Sequence, residues 1–285
     1  MLIGRRGFAL GGVGLAIGAV WWTWGRRSRA VEVVVLERFG DVRVGRADGE
    51  TSAKAGDVLY VTDRVRTGDG GRAILAVGGR SRIAVAPSSD LVVAGVGADG
   101  VRVTLEGGRI EATIFPEDGP VRVGAREQEF VATRADFAIG VDGSTVMART
   151  TSGSLEVLGA DIAALSEGTE ATFTDRASRV GPVPEELLLD VPWPDGTPTR
   201  AATTRLQGTT TPGCRLKIRG PFPGELTARA GADGSFDVEV PLVEGANRVT
   251  IVAVDALGRE RIVEGVVGQR DTTGPAFSGG AVYRE

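Results

Sequence analysis

The chain has no histidine and a single cysteine, Cys214. Without histidine there is no Ser-His-Asp triad, no Cys-His pair and no His-ligated metal. One cysteine excludes an internal disulfide and a cysteine-cluster metal site. Aromatic residues make up only 5% of the chain, and sugar sites depend on aromatic platforms. Trp193 is the sole tryptophan beyond Trp24; as part of a connecting segment it reads as packing onto a neighbouring domain. Positive charge is not in excess either. Lys and Arg total 33 against 37 Asp and Glu, a net charge of −4, which argues against nucleic acid as a partner. Carboxylate-only chemistry such as glycoside hydrolysis needs two convergent acids. Glu106, Glu111, Glu117, Glu127 and Glu129 are available for it, but nothing separates them from solvated strand positions. The expectation is a protein that is not an enzyme, with no catalytic, cofactor-binding or metal-binding residues and no small-molecule cofactor.

Glycine is abundant, 43 of 285 residues, with no collagen-like period, and so points to many tight turns. Hydrophobic residues at 42% and charged residues at 25% are ordinary for globular protein and too apolar for a disordered chain.

Gly7 to Trp24 carries no charge. As a helix it would extend roughly 27 Å, close to the hydrocarbon thickness of a bilayer. Arg5 and Arg6 precede it; Arg26, Arg27 and Arg29 follow it; Trp21, Trp22 and Trp24 stand at its end, where indoles favour the headgroup level. The expected order is a cytoplasmic stub at 1–6 and a transmembrane signal anchor at 7–24. The protein would then sit in the inner membrane as a single-pass protein with its globular part in the periplasm. The alternative is export with cleavage near Ala30, after the small residues Ser28 and Ala30. Arg5-Arg6-Gly7-Phe8-Ala9-Leu10 also has the look of a loose twin-arginine signal.

From Val31 the chain becomes short Val/Ile/Leu runs of period two, among them Val31–Leu36, Arg72–Val77, Val101–Leu105, Val121–Val123, Phe137–Ile139 and Ser154–Leu158. Such alternation predicts half-buried strands. Asp48-Gly49, Asp69-Gly70, Asp99-Gly100, Asp118-Gly119 and Asp142-Gly143 read as tight hairpin turns. They are too isolated to supply the clustered oxygens of a calcium site. No stretch of about 12 residues shows a helical stripe, so the expected fold class is all-β.

Over 31–178 these residues carry a resemblance. Ala55-Gly56-Asp57-Val58-Leu59 leads into Asp63-Arg64-Val65-Arg66-Thr67-Gly68, then into Gly71–Val85. Leu105–Ile110, Phe130–Ala135, Gly153–Val157 and Leu165–Glu170 follow in order. This succession resembles the FecR family domain, with its "G-D-x-L", "V-x-T-G" and "G-x-A-x-L-x-x-x-x-G-S-x-I-x-L" steps. The resemblance implies a periplasmic β-solenoid or sandwich whose exposed sheet edges contact proteins. Two steps depart from the pattern. Gly140-Val141-Asp142-Gly143-Ser144 stands where the family has "V-R-G-T", and Gly79-Arg80-Ser81 replaces its "D-G-S" turn. The best-known members also carry a cytoplasmic anti-sigma segment. The six residues expected there are too few to hold a sigma factor, so that activity is not carried over.

Gly181-Pro182-Val183-Pro184, Pro192, Pro194 and Pro198 mark residues 179–200 as a Pro-rich linker, with Glu185–Leu189 as one helical turn. Alternation resumes over 201–271. There Pro212-Gly213, Asp233-Gly234-Ser235-Phe236, Gly245-x-Asn247 and Asp255-Ala256-x-Gly258 resemble bacterial Ig-like surface domains, which implies a small β-sandwich. Cys214 reads as a small residue at a half-buried position, and 272–285 as a flexible tail. The function expected from all this is a membrane-anchored envelope protein that binds a protein partner in the periplasm, in signalling or as a scaffold. The alternative is a cell-wall or carbohydrate-binding module.

With no ligand cluster and no disulfide, folding must rest on apolar burial. For a fragment beginning at Val31, chelator and reductant are expected to leave the melting temperature unchanged in differential scanning calorimetry; a large drop with either would expose a hidden cross-link.

Overall fold

The computed structural model describes residues 31–194 and 197–273. It is all-β: the helical content of the described residues is a single 3-10 turn, Pro116–Asp118. The expected anchor at 7–24, its flanks and the tail beyond 273 lie outside the described residues. No helix among the described residues is long and apolar enough to cross a membrane.

The first unit runs through sixteen strands. They are β1 (Val33–Phe39), β2 (Val42–Arg46), β3 (Gly49–Ser52), β4 (Val58–Leu59), β5 (Arg64–Thr67), β6 (Arg72–Val77), β7 (Ser81–Val85) and β8 (Asp90–Gly97). Then come β9 (Gly100–Ile114), β10 (Val121–Ala125), β11 (Gln128–Ala132), β12 (Ala135–Asp142), β13 (Thr145–Leu158), β14 (Ala164–Ser166), β15 (Thr169–Phe173) and β16 (Ser178–Pro182). The strands form two layers. One reads β4-β1-β6-β7-β9-β12-β13-β15-β16. The other reads β3-β2-β5-β8-β9-β10-β11-β13-β14. All neighbours are antiparallel except β9 and β10.

Strands β9 and β13 belong to both layers, and each changes layer at a glycine. Gly107 pairs with Asp90 of β8, whereas Gly108 pairs with Val141 of β12. Gly153 pairs with Ala135 of β12, whereas Ser154 pairs with Ser166 of β14. Gly108 has φ +83° and Gly153 φ +77°, values that side chains resist. A Cβ at Gly108 would stand 2.3 Å from Ser89 Oγ, and one at Gly153 2.3 Å from the Arg134 carbonyl oxygen. The sharp bend and the tight packing therefore both require glycine.

Because the side chains alternate, each layer turns one face inward. Val33, Val35, Leu75, Val77, Ile83 and Ile110 of one layer meet Val44, Val65, Leu91, Val93, Val103 and Val123 of the other in a single core. Phe130 of β11 and Phe173 of β15 pair edge-to-face across the layers, 5.7 Å between ring centres, a geometry aromatic rings favour.

The second unit has two sheets. They are built from β17 (Leu189–Asp190), β18 (Pro198–Thr199), β19 (Thr203–Thr210), β20 (Arg215–Arg219), β21 (Leu226–Arg229), β22 (Ser235–Pro241), β23 (Gly245–Val254) and β24 (Glu260–Arg270). The order β17-β19-β22 faces β18-β24-β23-β20-β21 across a core that includes Leu206, Leu216, Ile218, Phe236, Val240 and Ile251. Asn247 is fully buried there. Its amide donates to the Val243 and Gly245 carbonyls and accepts from Val243 N–H, which accounts for a buried polar side chain.

Three readings of the sequence need correction. First, residues 179–200 do not form a free linker. Residues up to Pro182 complete β16, and Leu187, Leu189, Val191 and Trp193 pack into the second core. Second, Glu185–Leu189 is not a helical turn: the chain bends at Glu185 and Glu186 and leads through Leu187 and Leu188 into β17. In extended chain Leu187 and Leu189 face inward and Leu188 faces out, 59% exposed; a helical turn would splay the three. Third, the Asp-Gly pairs are not all hairpins. Asp69-Gly70 joins β5 to β6 across the layers, and Asp118-Gly119 closes the 3-10 turn that leads into the parallel strand β10.

Asp118 does more than turn the chain. Its carboxylate accepts from the backbone N–H groups of Gly79, Arg80 and Ser81 at 2.6, 2.8 and 2.7 Å and from the Ser81 hydroxyl at 2.9 Å. Burial pushes its pKa up, but these four donors outweigh burial and hold it below the usual aspartate value. An acid with a depressed folded pKa stabilises the fold above its unfolded value, about 3.9, and loses that contribution as pH falls through the folded value. Asp118→Asn is expected to cost about 2 kcal/mol at neutral pH. It should also flatten the loss of stability on acidification below about pH 4, as read by urea titration at stepped pH.

Candidate functional site

The five glutamates considered for acid–base work do not converge. Glu111 stands 3.8 Å from Arg109, Glu117 3.4 Å from Arg80 and Glu129 2.9 Å from Arg102, each an ion pair of its own. Glu106 is exposed on β9, and Glu127 is exposed in the β10–β11 turn. Among the described residues no group of three or more His, Cys, Asp and Glu is gathered as for a metal. Cys214 is fully buried, not half-buried. Burial pushes its thiol up to about 11, so the reactive thiolate is scarce at neutral pH. Trp193 lies across Gly265, where a Cβ would come within 2.2 Å of its ring; the indole packs on the second core.

Charged groups do converge at the joint between the two units. The β12–β13 turn presents Asp142 to two arginines of the second unit. Arg215 Nη2 reaches Oδ2 at 3.0 Å, and Arg229 Nη2 reaches Oδ1 at 2.5 Å. Arg229 also donates to the Asp142 and Gly213 carbonyls, both at 3.1 Å. Deeper in, Arg259 of the β23–β24 turn pairs with Asp255 of the same turn and with Glu170 of β15, both at 2.7 Å. Arg109 of β9 donates to the Leu257 carbonyl. Between these polar contacts Ala138 and Met147 pack against Ala256 and Leu257. Gly140 makes that approach possible, since a Cβ there would stand 2.0 Å from the Ala256 carbonyl oxygen.

The open sheet edges are the other chemically available feature. The first layer ends in β4, two residues long, and in β16, five residues long. β16 pairs with β15 on one side, and Val180 in its middle is 48% exposed. In the second unit β22 is also an edge, but its exposed positions Asp237 and Glu239 are acidic. Asp237 further ties to Gln207 at 2.9 Å. Charged outward positions blunt an edge against strand pairing.

No protein-family model matches the chain. No curated protein matches it either. Among solved structures, two crystal structures of a proposed anti-sigma factor from Parabacteroides distasonis share 12% and 11% identity with it, each at TM-score 0.37. The likeness covers 41% of this chain and 57% of the other. The chain thus spans little more than half of that protein's length, and a likeness at this level carries no argument about what the chain does.

Neither Asp142 nor Glu170 stood out in the sequence as a contact between units. The one available signal was the step at Gly140–Ser144, where the resemblance drawn from the sequence breaks off.

The joint responds to substitution and to pH in a defined way. Arg259→Ala leaves Asp255 and Glu170 buried without their cation and is expected to cost about 3–5 kcal/mol. Gly140→Val is expected to part the units, with faster hydrogen exchange at 138–147 and 255–258 and unchanged exchange in β1 and β6. Burial raises the Glu170 pKa, and the Arg259 charge only partly offsets this. The protonated form is therefore favoured by the fold, and that contribution is lost as pH rises through the raised value. Glu170→Gln should remove this step, which lies above the ordinary glutamate range, from the pH profile of stability.

Proposed function

We propose that this chain is a non-enzymatic envelope protein, held at the inner membrane by residues 7–24, with a FecR-like unit that binds a protein partner in the periplasm. On this reading the second unit is an Ig-like sandwich that fixes the orientation of the first. The role is signalling or scaffolding.

The observation that carries the proposal is the open β16 edge, at the end of the unit whose ordered motifs resemble the FecR domain. The edge carries Arg179 and ends at Pro182, but Val180 at its centre is exposed, and Ser178 to Gly181 offer backbone groups to an incoming strand and an apolar side chain to anchor it. The ion-paired, scattered glutamates and the buried Cys214 support binding over catalysis, because acid–base and covalent chemistry need groups that converge on a substrate. Trp193 is committed to the second core and so offers no platform for the carbohydrate-binding alternative.

The test places a photo-crosslinking residue at Val180 or at Glu239 in the full chain, in cells. A discrete adduct with a membrane or periplasmic protein from Val180 and none from Glu239 is expected. Adducts from Glu239 alone would move the contact to the second unit, and adducts with cytoplasmic proteins would overturn the location.

A further inference from the structure

We infer that the β4–β5 turn, through Tyr60 and Val61, rests in the headgroup region of the bilayer that anchors the chain. This rests on the reading of residues 7–24 as a membrane span. Six residues separate Trp24 from Val31, a reach of at most about 24 Å when extended. The end of the first unit that holds Val31 is thereby tied close to the membrane. Two features place the turn at that same end. Val33 pairs with Leu59 on one side and with Val77 on the other. The Glu32 carbonyl accepts from Gly78 N–H at 3.0 Å. Tyr60 and Val61 therefore flank the point where the chain enters the unit.

They are also built to project. Tyr60 is 65% and Val61 48% exposed, although apolar side chains gain by leaving water. The turn beneath them is rigid. The buried Asp63 carboxylate accepts from Tyr60 N–H at 3.0 Å and from Arg46 Nε at 3.2 Å. Thr62 N–H donates to the Val93 carbonyl at 2.8 Å. Thr62 has φ +78°, a region that β-branched residues rarely enter, and strain of this kind persists where the surroundings hold it. A tyrosine with an apolar ring and a polar tip suits the membrane–water boundary. The contact made by Tyr60 and Val61 themselves is apolar and so insensitive to salt, unlike any made by Arg26, Arg27 and Arg29 of the connecting segment.

The experiment uses the full chain reconstituted in vesicles of phosphatidylethanolamine with a minority of phosphatidylglycerol. Nitroxide labels go at Tyr60→Cys or Val61→Cys, with Val180→Cys and Ile262→Cys as exposed controls; Cys214, being fully buried, stays unlabelled. Accessibility to oxygen is compared with accessibility to a water-soluble nickel complex. At 60 and 61 the ratio of oxygen to nickel accessibility should exceed the controls several-fold and hold at high salt. A ratio equal to the controls, or shielding from both reagents, overturns the inference while leaving the anchor in place. If carbonate washing strips the chain from the vesicles, the anchor reading itself fails and takes the inference with it.

Discussion

The first unit depends on β9 and β13 belonging to two layers at once. A chain with a single cysteine holds its layers together without an internal disulfide, by apolar burial, and burial works only if the layers stay in register. Two continuous strands that pass from one layer into the other fix that register covalently. Their passage needs a tight bend, supplied at Gly108 and Gly153 by a backbone conformation other residues resist. Around these bends the Val-rich inner faces close on each other and form one core.

Two turns of the first unit are sites of long-range contact. The Gly79-Arg80-Ser81 turn has no carboxylate of its own, and Asp118 supplies one from the turn before β10. At Gly140–Ser144 the second unit docks, with Gly140 against Ala256 and Asp142 between two arginines. Both turns tie distant parts of the chain together.

What could be read from the sequence follows from what period-two alternation reports. Alternation marks which residues of a strand face inward, so β1, β6, β10, β12 and one half each of β9 and β13 are legible. It does not say which layer a strand joins, because both layers bury the same kind of face. Val101–Leu105 and Leu105–Ile110 thus read as separate pieces, although they form one strand bent at Gly108. The linker was misread for a related reason. Proline-rich chain is extended whether it is free or forms a sheet edge, and Pro182 lies in β16. The joint was hidden because its central feature at Gly140 is the absence of a side chain.

The joint also constrains how the two units can act. Had the second unit hung on a flexible linker, it would have added reach but no orientation. Instead the connecting residues are divided between the two cores, and the contact carries both ion pairs and apolar packing. Breaking it would uncover Arg259, Asp255 and Glu170, which are mostly buried. Buried charge contributes little net stability when paired, yet it strongly penalises arrangements that unpair it. The pairs therefore select one docked geometry more than they strengthen it. The first unit is then held at a fixed angle to the second.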